Sequence, residues 1–109
     1  MKDDIAYIDH ILLCISKIQK YTKDLQQTDF NRNEMLQDAV IRNIEIIGEA
    51  TKKISSELKS QYREIPWKEM SGMRDKLIHD YLGVDNDVVW RTVQEDIPLI
   101  KSLIQSIDR

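Results

Sequence analysis

Apolar residues recur every three or four positions through four stretches of the chain, separated by short polar breaks. Ile5, Ile8, Leu12, Ile15 and Ile18 fall on one side of a helix from about Asp4 to Tyr21. Asp3 or Asp4 is a natural N-cap for it, because a carboxylate accepts the free N–H groups of a first turn. His10 and Cys14 lie within this helix and read as packing or surface positions, not as chemistry. Thr28 to Asn33 is polar and reads as a loop, with capping candidates at Thr28, Asp29 and Asn31. A second helix is expected from about Arg32 to Leu58. Its stripe is Leu36, Val40, Ile44, Ile47, Ile54 and Leu58, with Ala39 and Ala50 beside it. Gly48 interrupts that stripe at a cost of about 1 kcal/mol relative to Ala, so it is read as the place where another helix comes close. Arg42, Glu45 and Glu49 lie on the polar side as stacked neighbours.

Ile65-Pro66-Trp67 opens a third helix, since proline suits a first helical position where its missing N–H is no loss. Trp67 and Met70 should face the core, and Ser71-Gly72 should loosen the helix just before Met73. Gly83 should end it by taking positive φ. Asp85, Asn86 or Asp87 should cap a fourth helix with the stripe Val89, Val93, Ile97, Ile100, Ile104 and Ile107, bent at Pro98. The expected fold is therefore all-α, an antiparallel bundle of four main helices joined by short loops. Such a fold carries no function by itself.

Composition narrows the class. Three glycines and two prolines leave little turn material, in keeping with few long helices, and 109 residues suit a single domain. A chain of this size buries only about 65% of its unfolded surface, which makes a homodimer an attractive supplement to its core. No apolar run approaches the roughly 20 residues that cross a bilayer, and no signal-type region opens the chain, so the expectation is a cytoplasmic protein with no membrane partner. One cysteine and two distant histidines argue against a disulfide or a zinc site, and no cofactor or metal is expected. The net charge of −3 does not suggest nucleic acid. Its distribution does, slightly: Lys52, Lys53, Lys59, Arg63, Lys68, Arg74 and Lys76 outnumber the acids between positions 52 and 76. The sign reverses from Asp80 to Asp96. Ordinary solvated helix faces account for the same pattern.

The chemistry-bearing stretch is Arg74-Asp75-Lys76-Leu77-Ile78-His79-Asp80-Tyr81. On a regular helix Asp75 and His79, four apart, can touch, so that Asp75 would orient the imidazole and favour its charged form. Arg74 and Tyr81 share a face. Arg74 and His79 diverge by about 140°, so one copy does not converge on a small target. Distortion of the helix, a reaching arginine, or two copies meeting across a two-fold axis would each resolve this, and the dimer is the preferred solution. A histidine near neutrality can move a proton and an arginine can hold phosphoryl oxygens, which together suit phosphate chemistry. A plain Arg/Asp/His salt-bridge cluster fits the spacing equally.

Arg74…His79-x-Tyr81 resembles the R-x-x-x-x-H-x-Y signature of the HepT-like branch of HEPN proteins, the toxins of MNT–HEPN toxin–antitoxin pairs. The likeness extends to Asp38–Ala50, Ile65-Pro66-Trp67, Gly72-Met73-Arg74 and Tyr81–Asp85 in order, roughly residues 35–98. The resemblance implies a HEPN helical bundle that dimerises near the motif. It also implies metal-independent cleavage of RNA, tRNA or mRNA, by 2′-hydroxyl attack that leaves a cyclic phosphate. Arg74 would stabilise phosphate charge and His79 would handle the proton. Asp75 stands where many relatives carry Asn, adding a negative charge beside the scissile phosphate. Tyr81 matches the tyrosine that a partner MNT-type nucleotidyltransferase antitoxin adenylylates, which would block RNA by charge and volume. Two further readings stand beside the RNase: a non-catalytic nucleotide-binding or AMP-acceptor partner of a nucleotidyltransferase, and a purely structural helical dimer.

Overall fold

A computed structural model of the chain describes residues 2–78 and 83–109. Among these the fold is all-helical, with one isolated antiparallel bridge between Ile78 and Val84 and no sheet. Three long helical stretches form the frame: α1 (Lys2–Thr22), α3 (Glu34–Lys53), and the continuous run from Asn86 to Gln105. Shorter helices fill the connections, so the arrangement is not the simple four-helix bundle that periodicity suggests.

The first helix buries Ile8, Ile11, Cys14, Ile15 and Ile18 against α3. Its buried face is rotated from the expected one: Ile5 is exposed and Leu12 only half-buried, while Ile11 and Cys14 are enclosed. Burial pushes the Cys14 thiol up from its ordinary value, against the nearby Lys17 charge, so the group stays protonated at neutral pH. Asp4 is not a cap of its own helix either. It is buried, and its carboxylate accepts the Ser55 N–H at 2.8 Å and the Ser55 hydroxyl at 2.6 Å.

That contact marks where the second expected helix divides. Helix α3 ends at Lys53, Ile54 turns extended (φ −71°, ψ 139°), and Ser55 caps α4 (Ser56–Gln61) by accepting the Leu58 N–H. Ile54 and Leu58 remain buried, so the apolar period runs through the break unaltered. The stretch expected as a loop holds a short helix, α2 (Gln27–Asn31), which seats Phe30 in the core against Trp90, ring centroids 5.5 Å apart. The cap of α3 is Asn33, whose side chain accepts the Leu36 N–H.

The third expected helix is two short ones. Pro66 sits just ahead of α5 (Trp67–Ser71) as its cap, one position earlier than expected; Gly72 breaks the turn, and α6 (Met73–Lys76) follows. Trp67, Met70, Met73 and Leu77 are buried, and the Trp67 indole N–H donates to the Tyr62 carbonyl at 3.0 Å. Helix α6 stops at Lys76, well before Gly83, which nonetheless takes φ +82°. Beyond the helix the Asp85 N–H donates to the Leu77 carbonyl at 2.8 Å, beside the Ile78–Val84 bridge.

Asp85 caps α7 (Asn86–Arg91), accepting the Asp87 and Val88 N–H groups. The run continues through a π-helical turn, Thr92–Asp96, into α8 (Ile97–Gln105). Pro98 supplies the reason: it has no N–H for the preceding turn, and its ring crowds the carbonyl there, which a widened turn accommodates. The whole expected stripe from Val89 to Ile107 is buried, and α8 also packs on α1.

Helix α3 packs closely on α5 and α6 at Gly48. A Cβ placed there would lie 3.1 Å from the Ser71 carbonyl oxygen and 3.5 Å from that of Met70. Backbone cannot step aside as a side-chain tip can. Gly48→Ala is therefore expected to lower stability by about 1 kcal/mol, overpacking outweighing the gain in helix propensity, and Gly48→Val by about 3 kcal/mol, measured by urea unfolding.

A second expectation concerns pH. Burial alone would raise the Asp4 pKa, but the Ser55 hydroxyl and N–H together outweigh it and hold the carboxyl below its ordinary 3.8. A depressed folded pKa means the stabilisation is present above 3.8 and is lost as pH falls through the folded value. Asp4→Asn should cost about 2 kcal/mol at pH 7 and should unfold with a flatter pH dependence below pH 4 than the wild type. Denaturant titrations at pH 7 and pH 3 check both.

Candidate functional site

Arg74 is the residue around which a site can be built. It lies on α6 just after Gly72, and the approach of α5 and α6 to α3 carries its guanidinium to the polar face of that helix. There the Nε–H donates to a Glu45 carboxylate oxygen at 2.6 Å. Arg74 is 49% exposed and Glu45 29%, so the pair stands at the surface with the acid as the more enclosed partner.

Around this pair is a polar groove of about 280 Å³ between α3 and the α5–α6 corner. Arg42, Glu49 and Lys52 line it from α3, Ser71 and Asp75 from the opposite side, and Gly48 forms its floor. Lys52 and Glu49 pair at 3.4 Å, and both are well exposed. Three cations and three carboxylates therefore balance. Among the described residues its lining carries no net formal charge, and what it offers is a placed guanidinium in a concave setting. The basic surplus read along positions 52–76 does not concentrate here.

The structure brings Arg74 and Asp75 to one groove. His79, Asp80 and Tyr81 lie outside the described residues. Because α6 ends at Lys76 and Leu77 already caps it, the angles worked out for an unbroken helix from Arg74 to Tyr81 do not apply. The one-turn stacking of Asp75 on His79 loses its geometric basis, and so does the 140° divergence of Arg74 from His79. The described chain on either side of residues 79–82 is fastened together, by the Leu77–Asp85 hydrogen bond and the Ile78–Val84 bridge.

Glu45 was visible in the sequence only as one of three stacked polar residues on the second helix. The signal that could have assigned it to the site was its position three residues before Gly48, the point of close approach. Among the described residues no three His, Cys, Asp or Glu side chains gather as a metal site, and no helix is long and apolar enough to cross a membrane.

A family model described as ribonuclease HepT-like matches residues 11–107. A probable ribonuclease HepT of Thermococcus cleftensis is 46% identical over 101 residues, which is 93% of this chain and 92% of that protein. A putative RNase of Methanocaldococcus jannaschii is 44% identical over 106 residues, 97% of this chain and 91% of its own length. A second protein of that organism, described as a gamma-glutamylcyclotransferase and putative RNase, is 50% identical over 106 residues; this chain spans about half of it, 48%. No solved structure matches the chain. With the family model matched from the middle of α1 to the end of α8, the chain belongs to the HepT-like HEPN-domain ribonuclease family.

Proposed function

We propose that this chain is the toxin of a toxin–antitoxin pair, a metal-independent endoribonuclease that cleaves RNA by internal transesterification. The observation that carries the reading is Arg74, the arginine of the family motif, held at a defined point in a surface groove by Glu45. A 2′-hydroxyl attacks the adjacent phosphorus, the bond to the 5′-oxygen breaks, and the products are a 2′,3′-cyclic phosphate and a 5′-hydroxyl. Arg74 stabilises the charge that builds on the phosphoryl oxygens. His79 takes the hydroxyl proton or gives one to the leaving oxygen, a role suited to imidazole at neutral pH. Asp75 lines the same groove and belongs to the candidate catalytic set as the neighbour that sets the local charge. In this reading the protein works as a homodimer, and a cognate MNT-type nucleotidyltransferase antitoxin silences it by placing AMP on Tyr81. The added phosphate would draw Arg74 away from RNA.

Purified, unmodified protein incubated with tRNA and mRNA in EDTA tests this. The wild type should cleave and leave cyclic phosphate ends, and Arg74→Ala and His79→Ala should each lose at least about 100-fold in rate. Absence of cleavage by the wild type, or equal cleavage by His79→Ala, sinks the proposal.

The charge balance of the groove favours a second reading, in which the chain is a non-catalytic AMP acceptor. Intact mass after co-expression with the nucleotidyltransferase separates the two. An adenylyl adduct that disappears in Tyr81→Phe, from a protein whose unmodified form leaves RNA intact, selects the acceptor; an adduct that abolishes cleavage selects the toxin.

A further inference from the structure

The Arg74–Glu45 pair uses one particular edge of the guanidinium. Glu45 accepts from Nε, and among the described residues no acceptor engages either Nη. An arginine offers two forked edges, and the one formed by the two terminal nitrogens matches a pair of phosphate oxygens. A carboxylate on Nε thus leaves the phosphate-matching edge available and removes the freedom of the side chain to swing. Three further observations support a positional role. Glu45 is the more enclosed partner, so the anchor is better fixed than the group it holds. Gly48, one turn further along α3, permits the approach that makes a 2.6 Å contact between α3 and α6 possible. Among the described residues, the only other ion pair in the groove, Lys52 with Glu49, is longer, more exposed and within one helix, and places nothing across the groove. An exposed pair such as Arg74–Glu45 adds little stability, so its main consequence is geometric.

We propose that Glu45 is a positioning residue for the phosphate-binding arginine: it fixes the Arg74 guanidinium through Nε and presents the two Nη groups to a phosphodiester in the groove. The inference rests on the ribonuclease reading for its consequence in catalysis, but the positioning itself is testable apart from activity.

The first measurement follows the Arg74 Nε–H signal by ¹⁵N–¹H NMR, assigned by its absence in Arg74→Lys, during titration with inorganic phosphate. The wild type and Glu45→Gln, whose amide oxygen still accepts from Nε, should show the signal and bind phosphate alike. Glu45→Ala should lose the bonded Nε–H signal and bind phosphate roughly 10-fold more weakly. Equal affinity in all three proteins overturns the proposal, as does a wild type whose Arg74 signal does not respond to phosphate.

The second measurement compares steady-state cleavage of RNA at matched thermal stability. Glu45→Ala should lower kcat by roughly 10- to 100-fold with a smaller change in KM, and Glu45→Gln should recover most of it. Wild-type kcat in Glu45→Ala, or equal loss in both variants, also overturns it. If the wild type cleaves no RNA, the ribonuclease reading fails, and the phosphate titration alone decides whether Glu45 positions Arg74.

Discussion

At Gly48 the backbone of α3 meets the backbone of the α5–α6 corner, with the Ser71 carbonyl oxygen 3.1 Å from where a Cβ would be. Much of the candidate site follows from that approach. It lets the buried faces of Trp67, Met70 and Met73 reach the core from a segment of only two short helices. On the opposite side of the same corner it delivers Arg74 to Glu45 and encloses the polar groove between them. A larger residue at position 48 would move the corner outward and strain the 2.6 Å ion pair that bridges it.

The frame that holds this corner is ordinary helix packing reinforced at two joints. Along α1, α3 and α8 the apolar stripes supply the burial. One joint is the buried Asp4 carboxylate on Ser55, where a charge-assisted pair of hydrogen bonds ties the start of α1 to the break between α3 and α4. The other is the return of the chain at Leu77 and Asp85, which secures both flanks of residues 79–82 and immediately starts α7 with the Asp85 cap. The family motif thus begins at a helix end, with Arg74 on α6 and the helix finished at Lys76. It is not displayed on one continuous helix.

That placement changes the argument for a two-chain site. The divergence of Arg74 and His79 belonged to a helix that in fact ends at Lys76, so helix geometry no longer demands a second copy. The dimer now rests on the resemblance to HEPN proteins and on the modest core of a small domain. What the groove itself contributes is an arginine held on one edge, in surroundings where positive and negative groups cancel. Such a site would select phosphate by shape and donor geometry, not by long-range attraction.

How much was legible in the chain varies with the range of the interaction. The sequence alone determined the all-helical class, the stripe from Val89 to Ile107, a cap among Asp85, Asn86 and Asp87, the loosening at Gly72, the role of Gly48 and the membership suggested by Arg74…His79-x-Tyr81. Each depends on residues within one or two helical turns, or on a motif read as a string. The break at Ile54–Ser55 was hidden because Ile54 and Leu58 keep a four-residue period across it, and its stabilising partner is Asp4, 51 residues away. The rotated face of α1, with Ile11 and Cys14 inward and Ile5 outward, was decided by α3 and α8, since an isoleucine-rich helix has more than one face it could bury. The end of α6 at Lys76 depended on the Leu77–Asp85 contact, and the assignment of Glu45 to Arg74 on a packing distance between two helices. Local periodicity chooses the elements; which groups meet across them is set by how closely the backbones can approach, and only the tertiary structure holds that.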